Sequence, residues 1–197
     1  MTELETKVAA LEGWCDSLKA NIIAELTREV EKENGKCMAI EIGVYGGRSL
    51  LALGWYLNPP SHVFGVDPYS VDASLESEKE EENIDWWKEL DHEKIKRGAF
   101  EGIREKQDVI SLLVMKSREA CELFDDCCFD VIHQDGNHSE EVSCEEVEMW
   151  CDKLKEGGWW IMDDVDWKST LKAQELLVSK GFVEIENHRS WSIYQKL

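Results

Sequence analysis

The chain has 197 residues, which is enough for one domain with a sizeable core, so its length requires no second domain. A formal net charge of -20 and a pI near 4.6 disfavour binding to nucleic acids and anionic membranes, because both reward lysine and arginine. The seven cysteines include no Cys-x-x-Cys pair and suit a reducing compartment. The sequence starts without a basic and apolar leader, and no stretch approaches the ~20 apolar residues of a membrane span. We therefore expect a cytoplasmic protein with no nucleic-acid or membrane partner.

An apolar stripe at helical spacing marks residues 1–36. Its members recur every three or four positions: Leu4, Val8, Leu11, Cys15, Leu18 and Ile22. Gly13 is expected to interrupt the helix before a cap at Asp16 and Ser17, and Gly35 is expected to end the helical region. We interpret 1–36 as an N-terminal helical segment packed on its own domain. The alternative is a homodimer through this helix, although the stripe is short for an independent coiled coil.

From residue 37 onward, apolar runs alternate with amphipathic ones, which is typical of strand–helix units around a parallel sheet. The predicted strands are 38–43, 62–66, 109–114, 129–134, 158–163, 182–186 and 191–195. The predicted helices lie near 47–57, 117–124, 139–155 and 168–180. The loop before the last strand is too short for a helical crossover, so the last two strands should form an antiparallel hairpin. The prediction for 37–197 is one α/β domain, a Rossmann-like three-layer sandwich with a mostly parallel seven-stranded sheet and a C-terminal antiparallel hairpin.

Residues 72–93 interrupt this alternation. They contain ten acids and two lysines, with Trp86 and Trp87 among them. A run of charges usually marks a solvated surface. A connection this long at the carboxyl end of a strand also often serves as a lid, and both interpretations stay open here.

A glycine-rich loop at Glu41–Ser49 lies between the first predicted strand and the first predicted helix. Its glycines allow a sharp turn and a close approach to a ligand, and the helix that follows offers free N–H groups to a carboxylate. Tyr45 and Arg48 occupy the second and third glycine positions of the dinucleotide fingerprint, which disfavours a pyrophosphate ligand. Asp67 ends the second predicted strand, a position from which a carboxylate can hold ribose hydroxyls.

Two further predicted strands end in carboxylates, at Asp135 and at the Asp163-Asp164 pair. Since ligands of open α/β sheets bind beyond the carboxyl ends of strands, these acids should meet at one edge, with His138 one turn away. Carboxylate oxygens are ligands that Mg²⁺ and Mn²⁺ prefer, and an imidazole can accept a proton near neutral pH. Each of these residues also has a structural interpretation. The acids can cap helices or order loops instead of binding a metal, and the histidine can hydrogen-bond to a metal ligand instead of accepting a proton.

At these motifs the chain resembles the class I S-adenosylmethionine-dependent methyltransferases, from Ala39 to the C-terminus. Glu41-x-Gly43-x-x-x-Gly47 resembles their first motif, Asp67 their ribose-binding acid, and the terminal hairpin their reversed seventh strand. Together, Asp135-Gly-Asn-His138, Gly157-Gly158 and Asp163-Asp164 resemble the metal-dependent sugar O-methyltransferases of the macrocin O-methyltransferase type.

The resemblance implies S-adenosylmethionine bound by Glu41, Gly43, Gly47, Ser49, Asp67 and Ser117. It also implies Mg²⁺ or Mn²⁺ bound by Asp135, Asp163 and Asp164, and catalytic roles for His138 as base and for Asp135. Glu41 would contact the methionine amino group or order the glycine loop, and Ser117 would contact the cofactor or cap a helix. His133, inside a predicted strand, is interpreted as a core histidine.

The implied activity is methyl transfer to a hydroxyl of a sugar or a glycosylated small molecule. A catechol-like phenol is an alternative acceptor, because the same acids and metal would serve it. A non-catalytic scaffold that retains the fold is a second alternative. The combination of a glycine loop and a carboxylate cluster argues against the scaffold, because a binding module has no need of both.

Overall fold

The computed structural model describes residues 1–79 and 81–197. The strands in this part of the chain are β1 (Met38–Ile42), β2 (His62–Val66), β3 (Ile110–Leu113), β4 (Phe129–Gln134), β5 (Leu154–Asp163), β6 (Phe182–Asn187) and β7 (Trp191–Lys196). The α-helices are α1 (Glu3–Ala9), α2 (Ser17–Asn34), α3 (Arg48–Gly54), α4 (Val71–Ser74), α5 (Glu81–Glu89), α6 (His92–Gly102), α7 (Ser117–Cys121), α8 (Glu140–Trp150) and α9 (Leu171–Ser179). Within the described residues, no helix is long and apolar enough to cross a membrane.

All seven strands join one sheet in the order β3-β2-β1-β4-β5-β7-β6. The first five strands in this order are parallel to one another. Strand β7 lies between β5 and β6 and is antiparallel to both. The predicted fold class, with its mostly parallel sheet and C-terminal antiparallel hairpin, is confirmed. The order reverses between β1 and β4, and this switch point is where open α/β sheets bind ligands.

Helices cover both faces of the sheet and produce three layers. One face packs against α1, α2, α3 and α6 through a core that includes Leu4, Ile23, Leu50, Leu53 and Ala99. The other face packs against α7, α8 and α9 through a core that includes Cys121, Val147, Trp150, Ala173 and Leu177. Burial on both faces explains why β1 is almost entirely apolar instead of alternating, and it also encloses every residue of β4.

The N-terminal stripe is divided between two helices. Asp16 caps α2 by accepting a hydrogen bond from the Lys19 N–H at 2.8 Å, and Gly35 ends α2 with φ of 75°. Gly13, with φ of 127°, lies in the loop between α1 and α2. Leu4 of α1 is buried in the core of the sheet domain, whereas Leu18 of α2 is 63 % exposed. A new helix starts at Ser17 and changes the phase of the stripe, which turns Leu18 outward.

Two boundaries differ from the sequence prediction by four residues or more. Helix α8 ends at Trp150, and β5 begins at Leu154 instead of at residue 158. The extra residues bulge out, because Phe129 pairs with Leu154 while Val131 already pairs with Trp159. Gly157, with φ of 76°, allows this bulge. The connection between β2 and β3, predicted without helices, contains α4, α5 and α6.

Candidate active site

A cavity of about 650 Å³ opens at the carboxyl ends of the central strands. The first residue after each of four strands lines it: Gly43 after β1, Asp67 after β2, Asp135 after β4 and Asp164 after β5. Other predicted site residues on its wall are Ser49, Ser117, His138 and Asp163. Glu41 and Gly47 lie behind the wall. The volume is within the range of about 300–1,000 Å³ that is common for small-molecule and cofactor sites.

The glycine loop is packed so closely that its first glycine cannot be replaced. Gly43 has φ of 85°, and a Cβ atom there would lie 2.0 Å from the carbonyl oxygen of Asp135. Gly47, with φ of 89°, is the N-cap of α3. The Arg48 Nε donates to the carbonyl oxygen of Leu11 at 2.7 Å, which ties the loop to the N-terminal segment. The buried Ser49 follows in the first turn of α3.

Asp67 orders the glycine loop as well as lining the cavity. Its Oδ2 accepts hydrogen bonds from the N–H groups of Val44 and Tyr45 at 3.0 and 2.9 Å, and its Oδ1 accepts one from the Tyr69 N–H at 2.7 Å. Burial raises the pKa of Asp67, and these three hydrogen bonds partly oppose that rise. Each carboxylate oxygen has two lone pairs, so acceptor capacity is left for a ligand in the cavity.

Glu41 and His133 form a fully buried pair beneath the cavity. The Nδ1 atom of His133 lies 2.8 Å from Oε1 of Glu41, and both side chains are 0 % exposed. The other oxygen of Glu41, Oε2, has no hydrogen-bond partner among the described residues. His133 is therefore a core histidine, as interpreted from the sequence, and it also connects Glu41 to the acids at the strand ends.

Asp163 is held by two basic groups. Its Oδ2 accepts a hydrogen bond from the ammonium of Lys19, and the same oxygen lies 3.3 Å from Nε2 of His133. Burial opposes ionisation of Asp163, but Lys19 and His133 outweigh it and hold the pKa of Asp163 well below its usual range. Lys19 lies on α2 and was not identified from the sequence. A signal existed, because Lys19 lies one helical turn before the buried Ile23 and two before the buried Thr27.

Asp164 points to a different partner from its chain neighbour. Its backbone has φ of 50°, in the left-handed region, and its Oδ2 lies 2.9 Å from Nε2 of His138. The same imidazole nitrogen lies 3.9 Å from Oδ1 of Asp135. Burial lowers the pKa of His138, but the hydrogen bond and the charge of Asp164 raise it overall. The pKa of Asp135 is raised by burial and by the charge of Asp163.

Two of the three predicted metal ligands, Asp135 and Asp164, belong to one group of residues that could hold a metal ion, and Asp163 does not. Asp135, His138 and Asp164 each offer one ligand atom, and these atoms lie within 4.8 Å of one another. Two carboxylates and an imidazole on an open cavity wall are a donor set that fits a divalent cation. Asp163 belongs to no such group in the part of the chain that the structure describes, and its carboxylate pairs with Lys19. Asp135 joins a second group with Glu41 and His133.

Ser117 contacts a buried acid that sequence reasoning missed. Its hydroxyl donates to Oε1 of Glu146 at 2.9 Å, while the N-cap of α7 is Lys116. Gln134 donates to the other oxygen of Glu146 at 3.2 Å. Burial raises the pKa of Glu146 to about 7, against the effect of these two bonds. Glu146 lies on the inner face of α8 in a run rich in glutamates, so its burial could be recognised only from its helical spacing to Val147 and Trp150.

Aromatic side chains from three segments form one wall of the cavity. Trp14 follows α1, Tyr45 belongs to the glycine loop, and Trp86 and Trp87 belong to α5. The ring centroids of Trp14 and Tyr45 are 5.1 Å apart, those of Trp14 and Trp86 are 5.5 Å apart, and those of Trp86 and Trp87 are 4.7 Å apart. Trp14 is 73 % exposed, so this aromatic wall has an open flat surface.

The start of the acidic segment 72–93 contacts the loop between β4 and α8, and residue 80 of the segment lies outside the described residues. Asn137 donates to the carbonyl oxygens of Ala73, Ser74 and Glu76 at 3.2, 3.2 and 2.9 Å. The carboxylate of Glu76 also pairs with Lys116 and Arg118, at 2.9 and 2.6 Å. These contacts hold the start of the segment against the loop that carries His138.

Solved structures share this fold. TomG from Streptomyces achromogenes, an O-methyltransferase involved in tomaymycin synthesis and solved with S-adenosylmethionine, has a TM-score of 0.65 and 12 % identity over 100 % of this chain and 90 % of that chain. An O-methyltransferase from Bacillus cereus solved with S-adenosylhomocysteine has a TM-score of 0.64 and 13 % identity, covering 100 % and 92 %. A SAM-dependent O-methyltransferase from Thermotoga maritima has a TM-score of 0.67 and 12 % identity, covering 100 % and 72 %. No curated protein matches the chain.

The sequence also matches a protein family defined by a methyltransferase domain, over residues 40–165. This match covers more than half of the chain, and it includes the glycine loop, Asp67, Asp135, Asp163 and Asp164. The protein therefore belongs to this methyltransferase-domain family.

Proposed function

We propose that the protein is an S-adenosylmethionine-dependent, divalent-metal-assisted O-methyltransferase that acts on a hydroxyl of a sugar or a glycosylated small molecule. One observation carries the proposal. The glycine loop and Asp67 open into the same cavity as the hydrogen-bonded pair of His138 and Asp164. A cofactor site and a base therefore face one space, as methyl transfer to a hydroxyl requires.

The cofactor is assigned to the part of the cavity between β1 and β2. Gly43 and Gly47 shape the loop, and Ser49 presents the first turn of α3. Asp67 is assigned to the ribose hydroxyls, and Ser117 to the opposite wall. Glu41 is fully buried, bonds to His133 and does not line the cavity, so of its two predicted roles we assign the ordering role to it. When bound, S-adenosylmethionine supplies an electrophilic methyl group on a sulfonium.

His138 is the proposed general base. With Nε2 carrying its hydrogen toward Asp164, Nδ1 keeps the lone pair that takes the acceptor's proton. With S-adenosylmethionine bound, the acceptor oxygen would take the methyl group, and the electron pair of the broken carbon–sulfur bond would stay on sulfur. The hydrogen bond to Asp164 orients the imidazole and stabilises the imidazolium that forms.

Asp135 and Asp164 are the proposed metal ligands, beside His138. Asp164 uses one oxygen toward His138, so its other oxygen is available to a cation. A divalent cation in this position would favour the deprotonated form of the acceptor hydroxyl. Asp163, the third acid of the predicted set, is assigned to this site only when Lys19 releases it.

The aromatic wall supports a neutral ring as the acceptor. Trp14 and Trp86 expose flat apolar surfaces on which the less polar face of a sugar can stack. The acids of 72–93 would repel a phosphorylated acceptor. We propose that this segment covers the acceptor as a lid, because its start contacts the loop that carries His138 and its two tryptophans line the cavity. Trp167 lies 5.4 Å from His138, centroid to centroid, and its ring favours a catechol-like phenol as the second candidate acceptor.

The test is methyl transfer by the purified chain from S-adenosylmethionine to a panel of neutral glycosides, phosphorylated sugars and catechols, detected by mass spectrometry. We expect a methylated neutral glycoside in the presence of Mg²⁺ and no product in excess chelator. Methylation of catechols alone would favour the second candidate, and full activity in chelator would remove the metal from the proposal. The proposal fails if calorimetry detects no cofactor binding and no acceptor is methylated, which is the result that a scaffold would give.

A further inference from the structure

Lys19 places a fixed positive charge inside the carboxylate cluster. Its side chain is 7 % exposed, and burying an ammonium is costly unless it is paired. Its partner is Asp163, and its ammonium also lies 5.6 Å from the ring centroid of Trp191. Lys19 reaches the site from the first turn of α2, a helix that precedes the sheet in the chain.

The charges around Lys19 explain why it stays in place. Asp163 and Asp135 are the acids whose charges act on it, in that order of size. On the far side of Asp163 lies His133, which is bonded to Glu41. Oδ2 of Asp163 therefore already has two basic neighbours, Lys19 and His133, before any ion binds.

The consecutive acids at the end of β5 face different ways as a result. Asp163 is the last residue of β5 and pairs inward with Lys19, whereas Asp164 turns to His138 and shares an open group with Asp135. A divalent ion at Asp135 and Asp164 would meet both the repulsion of the nearby ammonium and the loss of Asp163 as a ligand.

We propose that Lys19 is a resident counter-ion that keeps Asp163 out of the divalent-cation site and confines an ion to Asp135 and Asp164. The inference rests on the proposed function only in taking those two acids as metal ligands. Lys19 is thus a positioning residue, and the N-terminal helical segment sets the affinity of the site for metal. Replacing Lys19 by an uncharged side chain of similar length should convert a weak two-carboxylate site into a tighter three-carboxylate site.

The experiment measures Mn²⁺ binding to the full chain by calorimetry and by electron paramagnetic resonance, without substrate. We expect Lys19→Met to bind Mn²⁺ at least tenfold more tightly than the wild type, and Lys19→Arg to stay within about threefold of it, because the arginine keeps the charge. Tenfold corresponds to about 1.4 kcal/mol. Equal or weaker binding in Lys19→Met, or no Mn²⁺ binding by either protein, overturns the proposal.

Two further variants identify the carboxylate that is released. Lys19→Met/Asp163→Asn removes both partners of the pair, and its affinity should return to within about threefold of the wild type. If the double variant keeps the whole gain, Asp163 is not the ligand that Lys19 withholds, and the proposal is wrong. The double variant leaves neither charge buried alone, so it should fold even where a single replacement is destabilising.

A comparison of the consecutive acids does not depend on any Lys19 variant. Asp163→Asn should leave Mn²⁺ affinity within about threefold of the wild type, whereas Asp164→Asn should lower it at least tenfold. Equal losses in the two variants would show that Asp163 is already a ligand beside Lys19, and would overturn the proposal. These Mn²⁺ affinities are measured without methyl transfer. If the proposed function were wrong, a separate assay would detect no methyl transfer, while the affinities would still follow the expected order.

Discussion

Nε2 of His138 lies 2.9 Å from Oδ2 of Asp164, and the imidazole lines the same cavity as the glycine loop. A base that is hydrogen-bonded to an orienting carboxylate is the arrangement that activates a weak nucleophile. Here the nucleophile would be an acceptor hydroxyl, and the pair lies at the carboxyl ends of β4 and β5, where α/β sheets bind their ligands.

Replacing His138 by alanine should lower the maximal rate of methyl transfer by about 10²–10⁴, because the proton of the acceptor hydroxyl loses its base. Cofactor affinity, measured by calorimetry, should not change. The matched control is His62→Ala. His62 is the first residue of β2, at the end of the strand away from the cavity, and its imidazole lies 2.9 Å from the hydroxyl of Ser111. A His138→Ala enzyme with the wild-type rate would show that the base is another group.

The pH dependence of the rate should report the pKa of His138. The base must be neutral, so the rate should rise with pH through this pKa, which Asp164 holds above the ordinary value of about 6.5. Asp164→Asn removes the charge that raises the pKa and should move the acidic limb to lower pH. Rates measured between about pH 5 and 9 in both proteins test this. An acidic limb that stays in place would mean that another group titrates.

Asp67→Ala should weaken cofactor binding by about 1.5–3 kcal/mol, since a charge-assisted hydrogen bond is lost. Asp67 also accepts hydrogen bonds from Val44 and Tyr45, so the glycine loop should loosen as well. Calorimetry with S-adenosylhomocysteine measures the affinity, and Asp108→Ala, which removes an exposed acid before β3, is the control. Unchanged affinity in Asp67→Ala would refute its assignment to the ribose hydroxyls.

Changing Trp86 and Trp87 together to alanine should raise the acceptor's KM about tenfold and leave cofactor affinity nearly intact. The reason is loss of stacking, worth about 0.5–1.5 kcal/mol for each ring beyond the buried area. Phe100→Ala is the control, because Phe100 is a 44 % exposed aromatic of α6 that does not line the cavity. Steady-state kinetics measure the acceptor's KM. Unchanged acceptor kinetics would indicate that residues 72–93 are a solvated surface and not a lid.

Glu146 should make the folded protein less stable as the pH rises. Its pKa is about 7 in the folded state against an ordinary value of 4.5, so the unfolded chain ionises first and stability falls between these two values. The loss is at most about 3.5 kcal/mol, at ~1.4 kcal/mol per unit of pKa. Glu146→Gln has no ionisable group, so it should remove this loss, although its single amide oxygen can accept from only one of Ser117 and Gln134.

Denaturant unfolding at pH 5 and pH 8, within about one unit of those two pKa values, tests the prediction. The Glu146→Gln variant should be more stable than the wild type at the higher pH and differ little from it at the lower one. Glu148→Gln is the control, because Glu148 is a 55 % exposed acid of the same helix that pairs with Lys180. A parallel pH dependence in the wild type and Glu146→Gln would contradict the raised pKa.

The sequence by itself determined the fold class and the position of the cavity. Apolar runs of five or six residues, each followed by a glycine or an acid, identified β1, β2 and β4 with errors of one residue or none. Parallel strands bring their carboxyl ends to one edge, so Gly43, Asp67 and Asp135 could be placed together without coordinates. These features depend on local patterning, which a sequence displays directly.

The tertiary structure alone decided which charged groups pair. Lys19 and Asp163 are 144 positions apart, and nothing local links a lysine on α2 to the end of β5. Asp163 and Asp164 look equivalent in the sequence, yet the end of the strand and a left-handed turn send one to Lys19 and the other to His138. Burial of Glu146 depends in the same way on how α8 packs against the sheet. Pairing and pKa depend on desolvation and on charges that only folding brings together, and for this reason the sequence could propose the acids but not their partners.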